Sequence, residues 1–352
     1  MLKFTSINIK ELKKETEDAV SITFDIPSEI KENFKFIAGQ YITLKTNIDN
    51  KEIRRAYSIC SSPNSDDITI AIKKIKGGEF SVFATTELEK NHIFKVSPPE
   101  GKFILKTDKN NSKNYLAFAA GSGITPIIAM IKDVLETEEN STFTLVFGNK
   151  TQEETLFFNE LENLKNKFEN KLFIQYVFSK EQPKDSLFGR IDSSIVNYTL
   201  KKYNTDFDDV FLCGPEQMIL TVKDTLLEKD FNENNIHFEL FTSKYKNNDN
   251  KNTENMKLDG KTEITVILDE ETTTFTMKQE KNILNAALEK DLDAPYSCQG
   301  GICSSCMAKV TEGKAIMKNN SILSDEEVDE GFILTCEAHP TTEKITIDYD
   351  NV

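Results

Sequence analysis

The chain has little that would tie it to a membrane, a nucleic acid or a secretory route. No apolar run in its 352 residues reaches the length of a bilayer span. The opening stretch, MLKFTSINIKELKKETEDAV, lacks the apolar core of a signal peptide. A formal net charge of −15 argues against a polyanionic partner. Only three histidines are present, His92, His237 and His339, and none has metal-ligand spacing. No internal repeat is found. These absences point to a cytoplasmic protein with reduced thiols, and the length is enough for two or three domains.

What is present is most specific near the C-terminus. Cys298, Cys303, Cys306 and Cys336 follow the pattern C-x4-C-x2-C-x29-C. This is the plant-type spacing for a [2Fe–2S] cluster. Zinc sites usually pair two C-x2-C units, and here there is one. Gly300 and Gly301, between the first ligands, can take positive φ and turn backbone N–H groups towards inorganic sulfide. His339, three residues after Cys336, is expected at the surface. Between Gly260 and Val352 there are eighteen acidic and eight basic side chains, so most of the excess acidity lies on this segment. That asymmetry fits either solubility or an acidic docking face for a basic redox partner.

Three zones precede and join this segment. Residues 1–104 alternate apolar and polar over short runs such as Val20–Ile26 and Ile68–Ile72, broken by Pro27, Gly39, Pro63, Gly77-Gly78 and Pro98-Pro99, which predicts an antiparallel β-barrel. Residues 105–241 alternate strand and helix. Expected strands are Tyr115–Ala119, Phe143–Phe147, Leu172–Phe178 and Val210–Leu212; expected helices are Pro126–Leu135, Glu153–Lys167 and Gln217–Glu228. That alternation predicts a doubly wound parallel sheet. Residues 242–259 are Asn- and Lys-rich without apolar periodicity and read as a linker. Residues 260–352 contain strands Glu263–Leu268, Thr273–Met277 and Ile345–Ile347 and a helix Ile283–Lys290, an α+β module.

Candidate ligand groups fall at the ends of these elements. Arg55-Ala56-Tyr57-Ser58 ends a predicted strand. An arginine fork suits a pyrophosphate, a tyrosine ring suits a flat heterocycle, and a serine can hydrogen-bond a ring nitrogen. Gly77-Gly78-Glu79-Phe80-Ser81 precedes a candidate helix, whose N-terminus favours anions. Gly121-Ser122-Gly123-Ile124-Thr125-Pro126 and Cys213-Gly214-Pro215 each follow a strand and open a helix, although the third glycine of the full dinucleotide fingerprint is missing.

In this order the motifs resemble the ferredoxin–NADP reductase superfamily carrying a C-terminal plant-type ferredoxin module, as in oxygenase reductases, over nearly the whole chain. The resemblance implies a flavin barrel, a nicotinamide nucleotide domain and a β-grasp ferredoxin domain. It implies FAD held by Arg55, Tyr57, Ser58, Gly78 and Ser81, although some relatives carry FMN. It places the nicotinamide nucleotide at Gly121, Gly123, Thr125, Gly214 and Pro215, with Ser58 and Cys213 as the catalytic pair and Phe241 beside the flavin. Ser179-Lys180 resembles a Ser-Arg pair that grips a 2′-phosphate, leaving NADPH or NADH as donor. The implied activity is an NAD(P)H-dependent electron transfer chain to an oxygenase, with the phenylacetyl-CoA epoxidase as first candidate. Another acceptor (a Rieske oxygenase, hybrid-cluster protein or desaturase) or a non-catalytic redox sensor are the alternatives.

Overall fold

The computed structural model describes residues 4–241, 258 and 260–352. The segment expected to be a linker therefore lies almost wholly outside the described residues. Residues 4–241 form one compact unit, and the described residues from 258 onward form another.

The first unit begins with strands β1 (Thr5–Thr16), β2 (Ala19–Asp25), β3 (Tyr41–Ile48), β4 (Lys51–Ser58), β5 (Ile68–Lys73) and β6 (Ile93–Val96), with helix α1 (Glu79–Thr86) between β5 and β6. All pairings are antiparallel, in the order β4-β3-β6-β1-β2-β5. A bridge between Ile59, just after β4, and Ile70 of β5 brings the two outer strands together and closes the sheet towards a barrel. Asp49 and Asn50 both take positive φ in the two-residue turn between β3 and β4, the conformation that matches the twist of a tight hairpin. Ile22, Phe24, Ile42, Leu44, Ile70 and Phe94 fill the interior, each fully buried.

A parallel sheet follows, with β7 (Asn114–Ala120), α2 (Ile124–Thr137), β8 (Thr142–Asn149), α3 (Phe158–Lys167), β9 (Leu172–Phe178), β10 (Leu187–Phe188), α4 (Ser193–Tyr203), β11 (Asp209–Gly214), α5 (Glu216–Leu227) and β12 (Ile236–Leu240). The strand order is β10-β9-β8-β7-β11-β12. The chain thus winds outward from β7 in one direction, then returns to β11 on its other side. The crevice between the carboxyl ends of β7 and β11 is the topological switch point, where such sheets bind ligands. One apolar core lies under α2 and α3 and reaches barrel residues Ala38, Cys60 and Ala71, so barrel and sheet share it; a second lies under α4 and α5.

Two elements differ from the sequence reading. The expected helix at Glu153 begins only at Phe158, because Leu156 and Phe157 plunge into the core and Phe157 is left-handed at φ 58°. Helix α4 goes beyond the expected elements, although Asp192 caps it by accepting from the N–H groups of Ser194 and Ile195 at 3.0 and 3.1 Å.

The second unit contains β13 (Lys261–Leu268), β14 (Glu271–Lys278), α6 (Ile283–Leu288), β15 (Met307–Glu312), β16 (Ala315–Met317), α7 (Asp325–Asp329), β17 (Phe332–Leu334), β18 (Ala338–Pro340) and β19 (Lys344–Asp348). Its main sheet runs β14-β13-β19-β15-β17, with β13 and β19 parallel and the other pairs antiparallel. Strands β15 to β18 and α7 go beyond the elements expected there. Among the described residues no helix is long and apolar enough to cross a membrane.

Candidate functional site

The barrel contributes the end of β4. Two arginines adjoin there, and they differ. Arg54 is 3% exposed, paired with Glu52 at 2.9 Å, and lies 5.3 Å from the ring centroid of Phe4. Arg55 is exposed, and among the described residues no carboxylate lies within salt-bridge distance; its guanidinium donates to the carbonyl of Arg54 at 2.7 Å. Arg55 is therefore the cation with capacity for an anionic ligand. The Tyr57 ring lies 5.6 Å from that of Phe80 in α1, which draws the end of β4 and the start of α1 together. Burial pushes the Tyr57 phenol well above its usual range, so it acts as a neutral ring.

Ser81 has a task of its own. Its hydroxyl accepts from the N–H of Ile75 at 3.1 Å and faces the Gly78 carbonyl at 3.4 Å. A side chain at Gly78 would meet that hydroxyl at 2.6 Å, and Gly77 is left-handed at φ 76°. Gly78 and Ser81 thus shape the turn that opens α1.

The nucleotide sheet contributes two turns in contact. Gly123, in the turn after β7, packs on the turn after β11 so closely that a Cβ would lie 2.1 Å from the Cys213 carbonyl oxygen. Gly121 is left-handed at φ 57°, and a Cβ there would meet nothing within 4 Å among the described residues. Gly121 is thus open backbone at the carboxyl end of β7. Thr125 bonds the Ser122 carbonyl at 3.0 Å and so braces the first turn of α2. Pro215 caps α5 at its N-terminal end.

These parts converge at Ser58. Its hydroxyl, 5% exposed, reaches Glu239 Oε2 at 3.5 Å. Glu239 is paired in register with Cys213, one strand over. Burial raises the Glu239 carboxyl to about 8, with the Ser58 hydroxyl opposing that rise. Burial, and then the neighbouring Glu239, push the Cys213 thiol far up, so it is a neutral SH. Phe241, two residues after Glu239, packs, half-buried, on the core beneath α2. Ser58, Cys213 and Glu239 form a small proton-holding cluster where barrel and sheet meet. Glu239 was missed by sequence reasoning; it lies two residues before Phe241, in a strand read only for its aromatic.

The far end of the crevice carries cations. The N–H groups of Ser179 and Lys180 bond the carbonyls of Asn149 and Lys150, each at 3.0 Å. Lys180 is exposed. Gly189 donates to the Phe178 carbonyl at 2.8 Å, which brings Arg190 beside this pair. The side-chain nitrogen of Asn149 is buried without a hydrogen-bond partner, a donor left over at the carboxyl end of β8. Phe188 is 61% exposed on the adjoining β10, a free aromatic face. Arg190 and Phe188 were not foreseen.

In the second unit four thiols are gathered. Cys303, Cys306 and Cys336 are 6%, 1% and 4% exposed. Hydrogen bonds from Cys303 and Cys336 pull Cys298 far below the ordinary thiol value, while the same contacts and burial push Cys303 and Cys336 up. The four thiols thus perturb one another as near neighbours do. The Gly300 N–H lies 3.4 Å from the Cys298 sulfur. The left-handed residues of the loop are Gln299 and Gly301, at φ 52° and 70°, rather than the two glycines. Ser297, 1% exposed, keeps a hydroxyl with no partner. A four-thiol donor set, backbone N–H groups aimed at sulfur and an orphaned hydroxyl beside the first ligand fit a thiolate-bound cluster. His339 is buried rather than at the surface, bonded through Nδ1 to the Gln279 carbonyl at 3.0 Å.

Family models match all three zones: an oxidoreductase FAD-binding domain over residues 6–104, an oxidoreductase NAD-binding domain over 118–224 and a 2Fe-2S iron-sulfur cluster binding domain over 266–341. The chain is 36% identical to a component of the 1,2-phenylacetyl-CoA epoxidase of Escherichia coli K12, an alignment covering 99% of each chain. It is 29% identical to the ferredoxin reductase component of 3-ketosteroid-9-alpha-monooxygenase from Rhodococcus rhodochrous, over 97% of this chain and 96% of that one. Among solved structures, phthalate dioxygenase reductase shares the fold with a TM-score of 0.63 at 22% identity, covering 98% of each chain. A ferredoxin NADP+ reductase from Neisseria gonorrhoeae matches 68% of this chain and 99% of its own, with a TM-score of 0.59 at 20% identity.

Proposed function

Because the chain belongs to the family of oxygenase reductases that join FAD-binding, NAD-binding and 2Fe-2S domains, we propose that it carries electrons from NADPH to the oxygenase of a phenylacetyl-CoA epoxidase. The single observation that supports this most is the meeting of Ser58, Cys213 and Glu239 at the switch point. It brings the end of the flavin barrel against the edge of the sheet that receives a nicotinamide.

Each residue has a distinct task in this reading. Arg55 holds the flavin diphosphate, and Tyr57, backed by Phe80, flanks the ring. Gly121 leaves backbone open to the coenzyme, Gly123 and Gly214 let the two turns that receive it pack closely, and Pro215 and Thr125 brace the helices whose N-termini face it. Cys213, an uncharged thiol, lines the nicotinamide pocket without adding charge. Ser58 and Glu239 hold a proton beside the flavin ring, since a carboxyl titrating near 8 is protonated at neutral pH. Phe241 would lie beside the flavin from its place on the core beneath α2. Lys180 and Arg190 favour a 2′-phosphate, and therefore NADPH. A flavin held there would supply the exchange between a hydride, which is two electrons and a proton, and two single electrons plus a released proton, and a two-iron cluster would accept those electrons one at a time. Cys298, Cys303, Cys306 and Cys336 hold that cluster. The short acidic helix α7, Asp325–Asp329, lies one strand before Cys336 and supplies negative charge for a basic partner face.

The test is reconstitution. The purified protein, mixed with the oxygenase subunits of a phenylacetyl-CoA epoxidase, should couple NADPH oxidation to epoxide formation. It should give far less product with a Rieske oxygenase. Equal turnover with both would remove the epoxidase as the specific acceptor. Failure to reduce any dye with NADPH or NADH would favour the redox sensor instead.

A further inference from the structure

Helix α2 runs from the crevice at the carboxyl end of β7 back to the amino end of that strand, where Tyr115 Oη meets Glu138 at 3.1 Å. Its N-terminal turn grows out of Gly121-Ser122-Gly123, on the coenzyme side. Its C-terminal half carries Lys132, Asp133, Glu136 and Thr137, and these grip the barrel segment that follows Ser58. Lys132 Nζ donates to the Cys60 carbonyl at 2.8 Å. The Asn64 amide donates to Asp133 Oδ1 at 3.0 Å, and lies 3.3 Å from both Glu136 Oε2 and Thr137 Oγ1. The Ser62 hydroxyl also donates to Glu136.

Asp133 is the centre of the grip. It is 6% exposed, and its second oxygen accepts from Thr107 Oγ1 at 3.1 Å, in the segment that links barrel to sheet. Thr137 Oγ1, on the same helix, is 3.2 Å from its first oxygen. A buried carboxylate is costly unless its oxygens are satisfied. Here satisfaction comes from three separate pieces of chain at once, so the carboxylate is at home only when those pieces are in register.

The segment between Ser58 and Asn64 is also stiff. The Cys60 N–H donates to the Thr69 carbonyl at 2.8 Å, and the Thr69 N–H donates to Ser61 Oγ at 3.1 Å. Ile59 bridges to Ile70. Ile59–Ser61 are thus held on β5, and the Asn64 N–H donates to Ser62 Oγ at 3.1 Å, which leaves a short, tied path from Asn64 to Ser58.

We propose that α2 is a strut that sets the spacing between flavin and nicotinamide, with Asn64 and Asp133 as positioning residues for hydride transfer. The inference rests on the reading of Ser58 and Gly121–Thr125 given under Proposed function. Hydride transfer is steep in distance, and a misplacement of about 1 Å can cost about a hundredfold in rate. Neither residue contacts the coenzyme in this account. Loosening the strut should thus change the chemical step and leave coenzyme affinity alone.

The experiment compares the flavin-loaded full-length protein with Asn64→Ala and Asn64→Asp under anaerobic rapid mixing with NADPH and with its 4-deuterated form. Asn64 is exposed, so both variants should fold. Alanine removes the bridge; aspartate sets a third carboxylate against Asp133 and Glu136. Flavin reduction is expected to slow about tenfold in Asn64→Ala and further in Asn64→Asp. The isotope effect should rise, the long-wavelength charge-transfer absorbance should weaken, and the KM for NADPH should stay within twofold. A merely structural role would lower the melting temperature without moving the isotope effect or the charge-transfer band. Wild-type reduction rates and band in both variants would overturn the strut while leaving the hydride reading intact. Absence of flavin reduction in the wild-type protein would overturn both.

Discussion

Replacing Glu239 by glutamine should make the protein more stable in mild alkali, and the size of the effect can be worked from the site. Burial raises the Glu239 carboxyl from 4.5 to about 8. Between these values the folded protein keeps the proton and the unfolded chain loses it. The unfolded state then binds fewer protons, so stability falls as pH rises through this window, and the full penalty is present above about 8. At 1.36 kcal/mol per unit the shift sets an upper bound of about 5 kcal/mol. The carboxyl retains some solvent contact, and its environment can relax, which reduces the expected value to about 2 kcal/mol. Glutamine keeps the shape and an oxygen for Ser58 but has no proton to lose. In a unit of this size about 2 kcal/mol corresponds to about 5 °C in melting temperature. The chain has no tryptophan, so unfolding of the flavin-loaded protein is best followed by circular dichroism and by flavin release. Glu239→Gln should melt within a degree or two of the wild-type protein at pH 5 and gain about 5 °C relative to it at pH 8.5. A difference between the two proteins that is the same at both pH values would refute the burial argument.

Cys303→Ser should abolish reduction of cytochrome c, which needs the cluster, and spare reduction of ferricyanide, which the flavin can serve; loss of both would mean that the cluster is not the terminal carrier. Lys180→Ala and Arg190→Ala should each raise the KM for NADPH about tenfold with little change for NADH, since each removes one cation from a 2′-phosphate; equal effects on both coenzymes would remove these residues from that role. Gly123→Ala forces a methyl to within 2.1 Å of the Cys213 carbonyl and must part the two turns. It should weaken NADPH binding at least about tenfold and destabilise by about 1–3 kcal/mol while flavin is retained, as measured by coenzyme titration and melting.

Much of the molecule is legible in the sequence because its elements follow simple periods. The alternation in Val20–Ile26 and the apolar runs of β7, β8, β9 and β11 place those strands within a residue or two. The cysteine spacing identifies its cofactor because a thiolate cage needs three sulfurs on one tight loop and a fourth from a distant turn. Other features depend on tertiary context. Leu156 and Phe157 look like the start of a helix because both are apolar, yet they are apolar in order to plug the core from a turn. Helix α4 does carry a signal, the Asp192-Ser193-Ser194 cap, but its apolar face is too sparse to stand out beside it. Glu239 is unremarkable in a strand, and its chemistry arises only when β12 lies beside Cys213 and opposite Ser58. The difference between Arg54 and Arg55 likewise depends on Glu52 and Phe4, which hold one and leave the other free. In the cluster loop, Gln299 rather than Gly300 takes the left-handed turn, a choice set by where the sulfurs must point.

The central claim is that one polypeptide accepts electrons in pairs at the flavin and releases them singly through the thiol-bound cluster. The most direct measurement is an anaerobic NADPH titration of the purified protein, followed together by visible absorbance and electron paramagnetic resonance. The account predicts bleaching of the flavin bands and growth of the signal of a reduced two-iron cluster, with that signal absent from Cys303→Ser. Bleaching of the flavin with no cluster signal, in protein whose cluster dithionite does reduce, would contradict it.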